Sequence, residues 1–476
     1  MKLQKIFRPL LIFLAIVAGI SVFPVQTFSQ GTGGNLSFLP LVLNQVPSSE
    51  MRVHIPFFNG EIQANETAIF WFGRVYETDN YTDVRLGYTE DFLYVRLSII
   101  DRQIWYDTTP SIQDLTKWDS AALYLNLNGN TATTITSNSY AFFGQLAWNE
   151  PNMEVVYRGN GGQWQQSTIP FTSTASWVSD GSQINLDGDD RGWTLTYAIP
   201  FSSLGLSNPP AQNTIWGMGL VLYDRDDANG NLQISNKVWP PEMSANTPST
   251  WAQLSFGQSF AEASSETNRQ PDGTTIIRHG NNGVVVTDGM VGGGFTCGEG
   301  LSPVFQLWGE ANYTEAHQIN IQDQYNLADW PCFSKYYITF PLDSLPDGVQ
   351  ITSATLTMYH FSNAGNGGPN IPTSLLQVMT VGDDWNENTL TWNNAPMALE
   401  NVSQLWVPPN FTGEPIARTW NLGSAVDEAF GLGEPLRLVI YSADSDQHSG
   451  KYFVSSDAGP SSAEERPTLT VNWVNP

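Results

Sequence analysis

The chain has 476 residues, with 46 Asp and Glu against 20 Lys and Arg and a formal net charge of −26. So acidic a surface repels phosphate backbones and anionic lipid, which excludes nucleic acid and argues against membrane-surface binding. Neutral partners and divalent cations remain, and the acidity favours solubility outside a cell.

At the N-terminus, Lys2, Lys5 and Arg8 precede the apolar run Leu10 to Phe23. The run is short for a membrane span and is followed by the small residues Thr27 and Ser29, the pattern of a cleaved secretory signal over residues 1–29. A secreted protein, extracellular or at the cell surface and free of lipid after cleavage, is therefore expected. Residues 30–50 form a Gly/Ser/Pro-containing leader to which no fold is assigned. Residues 51–476 exceed the roughly 250–300 residues that one hydrophobic core usually serves. Gln258 to Gly273 lacks apolar periodicity and is rich in Ser, Glu and Asn, which marks a polar linker. Two domains are expected, at 51–257 and 274–476, each able to fold alone.

The first domain reads as strands. VRLGYTEDFLYVRLSII, Val84 to Ile100, alternates around a turn at Thr89 to Asp91, as a hairpin with one buried face does. Ser120 to Asn130 ends in Asn-Gly, Gly192 to Leu206 ends in a Pro-led turn, and Trp216 to Asn231 runs into an acidic loop. No segment sustains a 3.6-residue period, so helices are minor. The fold class predicted is all-β, with two β-sandwich, jelly-roll-like domains.

FNGEI (Phe58 to Ile62), YTEDFLYVRLSIID (Tyr88 to Asp101), WDSAALYLN (Trp118 to Asn126), RGWTLTYAIPFSSL (Arg191 to Leu204), WGMGLVLYDRDD (Trp216 to Asp227) and STWAQLSFG (Ser249 to Gly257) occur in this order. In order and spacing the series resembles the family 9 carbohydrate-binding modules and their DOMON-like relatives. The resemblance implies a β-sandwich that holds sugar between tryptophans, often at a reducing end, with structural calcium in some members. In the second domain, Tyr336 to Phe361, WNENTLTWNNAP (Trp385 to Pro396), a Trp420-containing strand followed by LRLVIYS (Leu436 to Ser442), and Lys451 to Trp473 resemble the DNRLRE, or disaggregatase-related, domains. That resemblance implies extracellular polysaccharide as the setting. Gly289 to Tyr325, which contains Cys297, reads as an insertion into the pattern.

Sugar recognition needs flat apolar faces for the C–H side of a pyranose and short polar groups for its hydroxyls. Trp118 and Trp251, next to Asp119 and Gln253, are the candidate pair, with Trp239 in VWPPE in reserve. Trp392, on TLTW, reads as a core residue whose indole N–H finds a neighbour. DRDDANGN reads as a solvated acidic hairpin or, alternatively, offers Asp224, Asp226, Asp227 and Asn229 to a calcium ion, although Ala228 and Gly230 depart from the EF-hand spacing. Only Cys297 and Cys332 occur, so outside the cell a disulfide between them is expected.

The five histidines form no HExxH or ligand pair, and neither a phosphate loop nor a GxSxG elbow is present. The functional reading is a noncatalytic protein that binds polysaccharide or oligosaccharide. A polysaccharide hydrolase or lyase with an unrecognised site, and a cell-surface adhesion protein, are the alternatives.

Overall fold

The alternation from Val84 to Ile100 forms the expected hairpin. Asp79–Tyr88 and Phe92–Ile100 pair antiparallel in the register Tyr88↔Leu93, Leu86↔Val95 and Val84↔Leu97. Thr89 closes the turn, its Oγ1 accepting the Asp91 and Phe92 N–H groups at 3.1 and 3.3 Å. The computed structural model describes residues 51–476, less 148–149, 180–183, 231–233, 259, 261–269, 294–300, 315, 366–369 and 383. The expected signal and leader, residues 1–50, lie outside the described residues.

The molecule is nearly all β. Among the described residues the α-helices are Leu301–Leu307 and Gly423–Leu432. One sheet of five strands runs in the order Ala68–Tyr76, Asp79–Tyr88, Phe92–Ile100, Asp190–Pro200, Thr172–Ser179. It packs on part of a 13-stranded sheet that includes Ser120–Asn126, Ser139–Gln145, Ile215–Tyr223 and Ala252–Phe256. Phe70, Val84, Leu97, Leu123, Phe142 and Leu254 fill the space between. A six-stranded sheet built from residues 273–474 covers the other part of the large sheet over a second core containing Tyr336, Leu356, Val378 and Leu438.

Most of the expected linker, Gln258 to Gly273, lies outside the described residues. Residues 48–476 form one compact unit, and the large sheet continues from one half into the other. Its junction is the strand Arg52–Ile55, which pairs parallel with Ala252–Phe256 along its length and with Ala398–Val407 at Arg52↔Glu400. Beyond that point the Asn401 side chain continues the ladder. Its Oδ1 accepts the His54 N–H at 2.8 Å and its Nδ2 donates to the His54 carbonyl at 2.9 Å, so two backbone groups that the short pairing leaves over are satisfied.

A third core fills the seam. Trp71, Val75, Tyr81 and Ile100 from the first half meet Trp308, Trp330, Tyr337, Trp392 and Tyr441 from the second. The insertion seen in the sequence supplies Val304, Phe305 and Trp308 of this core. Lys335 is buried inside it, its Nζ 3.9 Å from the ring centre of Trp71, 3.7 Å from Trp392, and 4.7 Å from both Tyr81 and Tyr441. Burial pushes this ammonium well below the ordinary lysine range, against the opposing pull of Asp83 and Asp323. Asp83 accepts the Tyr81 and Tyr441 hydroxyls at 2.7 and 3.1 Å, and Arg85 pairs with Asp323 across the seam with both side chains fully buried.

Trp392 is thus a core residue, 4% exposed. The expected partner for its indole N–H is not found among the described residues, and what the ring supplies is its face, to Lys335.

Candidate carbohydrate-binding groove

Ser120–Asn126, Ser139–Gln145, Glu154–Asn160 and Gln163–Ser167 lie side by side in the large sheet. Alternation sends Leu123, Leu125, Phe142 and Val156 into the sandwich core. It places Ala122, Tyr124, Ala141, Phe143 and Tyr157 on the opposite face, where they form a separate apolar cluster. Register arranges that face in rows: Tyr124 opposite Ala141, Ala141 opposite Tyr157, and Ala122 opposite Phe143. Large residues stand beside small ones, and a groove results.

The rings meet edge to face. Tyr124 lies 6.0 Å from Phe143 and 5.9 Å from Trp164, and Phe143 lies 5.6 Å from Tyr157. A hollow of about 250 Å³ opens over them. Ile112, Gln113, Leu115 and Thr116 form its lip, and among the described residues its lining contains no Asp, Glu, His, Lys or Arg. Phe143, Tyr157 and Trp164 are half-buried, so each keeps ring surface in contact with solvent. Asn246 Oδ1 accepts the Trp164 indole N–H at 3.0 Å and orients that ring.

Trp251 and Trp239 do not present faces to a sugar. Trp251 is 2% exposed. It lies under the groove against Tyr124, with ring centres 5.7 Å apart, and donates Nε1–H to the Ser244 carbonyl at 2.8 Å. Gly219, opposite Tyr124, permits this, because a Cβ there would stand 2.8 Å from Met243, the neighbour of Trp251 in the cluster. Trp239 is 1% exposed and stacks on Phe70 with ring centres 3.9 Å apart, inside the sandwich core. Gln253 accepts Arg52 Nε–H at 2.7 Å on the strand leading to the seam. Trp118 is half-buried, and the Arg225 guanidinium lies 3.7 Å over its ring. The predicted pair is therefore not brought together as a clamp. Reasoning from loop tryptophans misses Tyr124, Phe143, Tyr157 and Trp164. Their signal is present in ALYLN, AFF, VVYR and QWQ, whose aromatics recur on alternate positions of successive strands.

Asp119 is fully buried and serves the backbone, accepting the Trp105 N–H at 2.6 Å and the Arg225 N–H at 2.8 Å. Beside it, carboxylate oxygens of Asp101, Asp224 and Asp226 lie within 4.8 Å of one another. Of the expected calcium ligands, Asp224 and Asp226 converge. Asp227 and Asn229 do not belong to this group: Asp227 Oδ1 accepts the Asn229 N–H at 2.7 Å in a local turn, and Asn229 is exposed. Asp101 takes their place from the end of a strand more than a hundred residues earlier, a distance no local motif spans.

Burial, reinforced by Asp119 and Asp224, raises Asp101 well above the carboxylate range. Burial, then Asp226, does the same to Asp224. Asp226 is pushed up to about 7 by burial, with Arg102 pulling it back. Such a group of acids holds protons or shares a cation. A second acidic group joins Asp288, Glu387 and Asp457; its buried member Asp288 accepts bonds from the Tyr336 hydroxyl and from the Ser456 N–H and Oγ–H, as Asp101 in the first group accepts the Gln103 N–H and the Trp193 indole N–H.

Residues 307–471 match the model of carbohydrate-binding module family 96. No curated protein matches the chain. Among solved structures, a family 9 carbohydrate-binding module from Caldicellulosiruptor kristjanssonii in complex with cellotriose is similar at 16% identity and a TM-score of 0.31, over 44% of this chain and 95% of that one. A family 9 module from the same organism in complex with glucose is similar at 14% identity and a TM-score of 0.29, over 44% of this chain and 97% of that one. The family-model match supports carbohydrate binding, and it lies in the second half of the chain, whereas the groove lies in the first.

Proposed function

We propose that this is a secreted, noncatalytic carbohydrate-binding protein that holds a polysaccharide, or its end, in the groove over Tyr124, Phe143, Tyr157 and Trp164. The observation that carries this reading is the outward aromatic cluster with half-exposed rings, bordered by neutral hydrogen-bonding side chains such as Gln113 and Thr116. Ring faces match the C–H side of a pyranose, and amides and hydroxyls match its hydroxyl groups.

A glycan array on the exported protein tests the proposal: specific binding, competed by free sugar and without release of reducing ends or unsaturated products, is expected. Product release would make the protein a hydrolase or lyase, and binding to cells that free sugar does not compete would make it a protein-directed adhesin. Calcium is the proposed cation at Asp101, Asp224 and Asp226, since hard carboxylate oxygens suit it. Cys297 lies outside the described residues, and its bridge to Cys332 is likewise proposed. Two free thiols in unreduced exported protein would refute that bridge.

A further inference from the structure

We infer that a divalent cation at Asp101, Asp224 and Asp226 regulates the groove, with Arg225 as the strut that carries cation occupancy to the groove lip; the inference rests on the glycan reading of that groove. Among the described residues Asp224 Oδ1 and Asp226 Oδ2 are sealed from solvent and have no hydrogen-bond donor, whereas Asp101 accepts the Gln103 N–H and the Trp193 indole N–H, each at 3.1 Å. The basic side chains nearby are committed to other acids: Lys237 to Asp79 at 2.5 Å, and Arg102 to Glu77 at 3.2 Å and Asp189 at 2.5 Å. Carboxylate oxygens that converge without a donor, as those of Asp224 and Asp226 do, repel unless a proton or a metal ion stands between them.

Asp119 is the clamp next to this group. With one oxygen on the Trp105 N–H and the other on the Arg225 N–H, it ties the backbone between Asp224 and Asp226 to the strand start at Ser120. Arg225 then reaches in two directions. Its guanidinium group donates to the Asp227 and Ala228 carbonyls at 2.8 and 2.7 Å, within the acidic loop. It also donates to the Lys117 carbonyl at 3.3 Å and covers the Trp118 ring at 3.7 Å. Lys117 ends the turn Leu115–Lys117, whose Leu115 and Thr116 line the groove. A cation that draws Asp224 and Asp226 toward Asp101 fixes the residue between them, and with it the turn at the lip. Without the cation, repulsion among the acids loosens the same path.

The test uses the full chain, stripped with chelator and titrated with calcium chloride. Calorimetry reads cation binding and amide hydrogen exchange reads residues 112–118. Calcium is expected to bind and to slow exchange of 112–118 by about tenfold. Asp224→Asn, a near-isosteric change, should lose both responses. Arg225→Gln, which leaves every proposed ligand in place, should keep calcium binding within a few-fold and lose the protection of 112–118. Absence of calcium binding to the intact chain overturns the cation site. Calcium that binds but protects only the loop around 224–230, or protection of 112–118 that survives in Arg225→Gln, overturns the strut. These readouts need no glycan, so an array that finds no glycan for the calcium-loaded protein would remove the groove reading while leaving the cation coupling to stand or fall separately.

Discussion

Two aromatic clusters of similar composition have opposite fates in this molecule. At the seam, Trp71, Tyr81, Trp392 and Tyr441 surround the buried ammonium of Lys335. On the outer face of the large sheet, Tyr124, Phe143, Tyr157 and Trp164 surround a hollow that opens to solvent. In both, rings project from strand faces that point away from a sandwich core, joined at the seam by Trp392 from a turn. The seam cluster is covered by the other half of the chain and is filled from within the protein by the Lys335 side chain. Among the described residues the groove cluster has no such cover, and Phe143, Tyr157 and Trp164 keep ring surface exposed. Tryptophan density therefore marks a binding surface only where no other layer of the fold has already occupied it.

That contrast can be broken most severely at the seam. Arg85→Met leaves Asp323 as an uncompensated buried charge and should cost about 3–5 kcal/mol in a thermal or denaturant melt. Adding Asp323→Leu should recover much of the loss. The parent chain should melt in a single transition, and two separable transitions would show that the halves are not one cooperative unit.

Trp392→Ala should cost a similar amount, about 3–5 kcal/mol of stability, for a large-to-small change in a packed core. Glycan binding measured below the melt should be retained, and loss of binding from a stable Trp392→Ala protein would invert the roles given to the two clusters. Trp164→Ala is the mirror experiment. It should cost roughly 1–3 kcal/mol of glycan affinity, by analogy with aromatic platforms that stack nucleobases, while the melting temperature hardly moves.

The smallest effect is a pH dependence that bears on the acidic group beside the groove. Asp226 is raised to about 7 in the folded chain, so the stability associated with its protonated form is present at low pH and lost as pH rises through that value. In chelator, the melting temperature should therefore rise as pH falls from 8 to 6.5, and saturating calcium should flatten this slope. Asp101 and Asp224, raised in the same way, act in the same direction. His360, lowered to about 4 chiefly by burial, works in the opposite sense as pH falls below the ordinary histidine value. Lys451, lowered to about 8 chiefly by burial, adds stability as pH rises from there toward the ordinary lysine range.

Much of the fold was legible in the residues. The Val84 to Ile100 hairpin, the scarcity of helix and the core position of Trp392 come from alternation, turn chemistry and the size of an indole. The site was legible only in fragments. Asp224 and Asp226 stand out as a local motif, but Asp101 reaches them through strand pairing and Asp227 turns aside into its own loop. Trp251 and Trp239 look like rim residues beside Gly, Pro and Thr, yet each packs under a neighbouring element that nothing nearby in sequence announces.

The physical reason lies in what period-2 alternation contains. It divides a strand into two faces, and the sequence by itself determined that division: Val84 and Leu86 on one side and Asp83 and Arg85 on the other, Leu123 and Leu125 on one side and Ala122 and Tyr124 on the other. Whether the second face meets water or protein depends on segments hundreds of residues away. The polar side chains of Asp83 and Arg85 read as a solvent face and are fully buried at the seam by the second half of the chain. The apolar side chains of Phe143 and Tyr157, by contrast, lie half-exposed in the groove. Local pattern sets the orientation of a side chain, and only the packing of whole sheets settles what it faces.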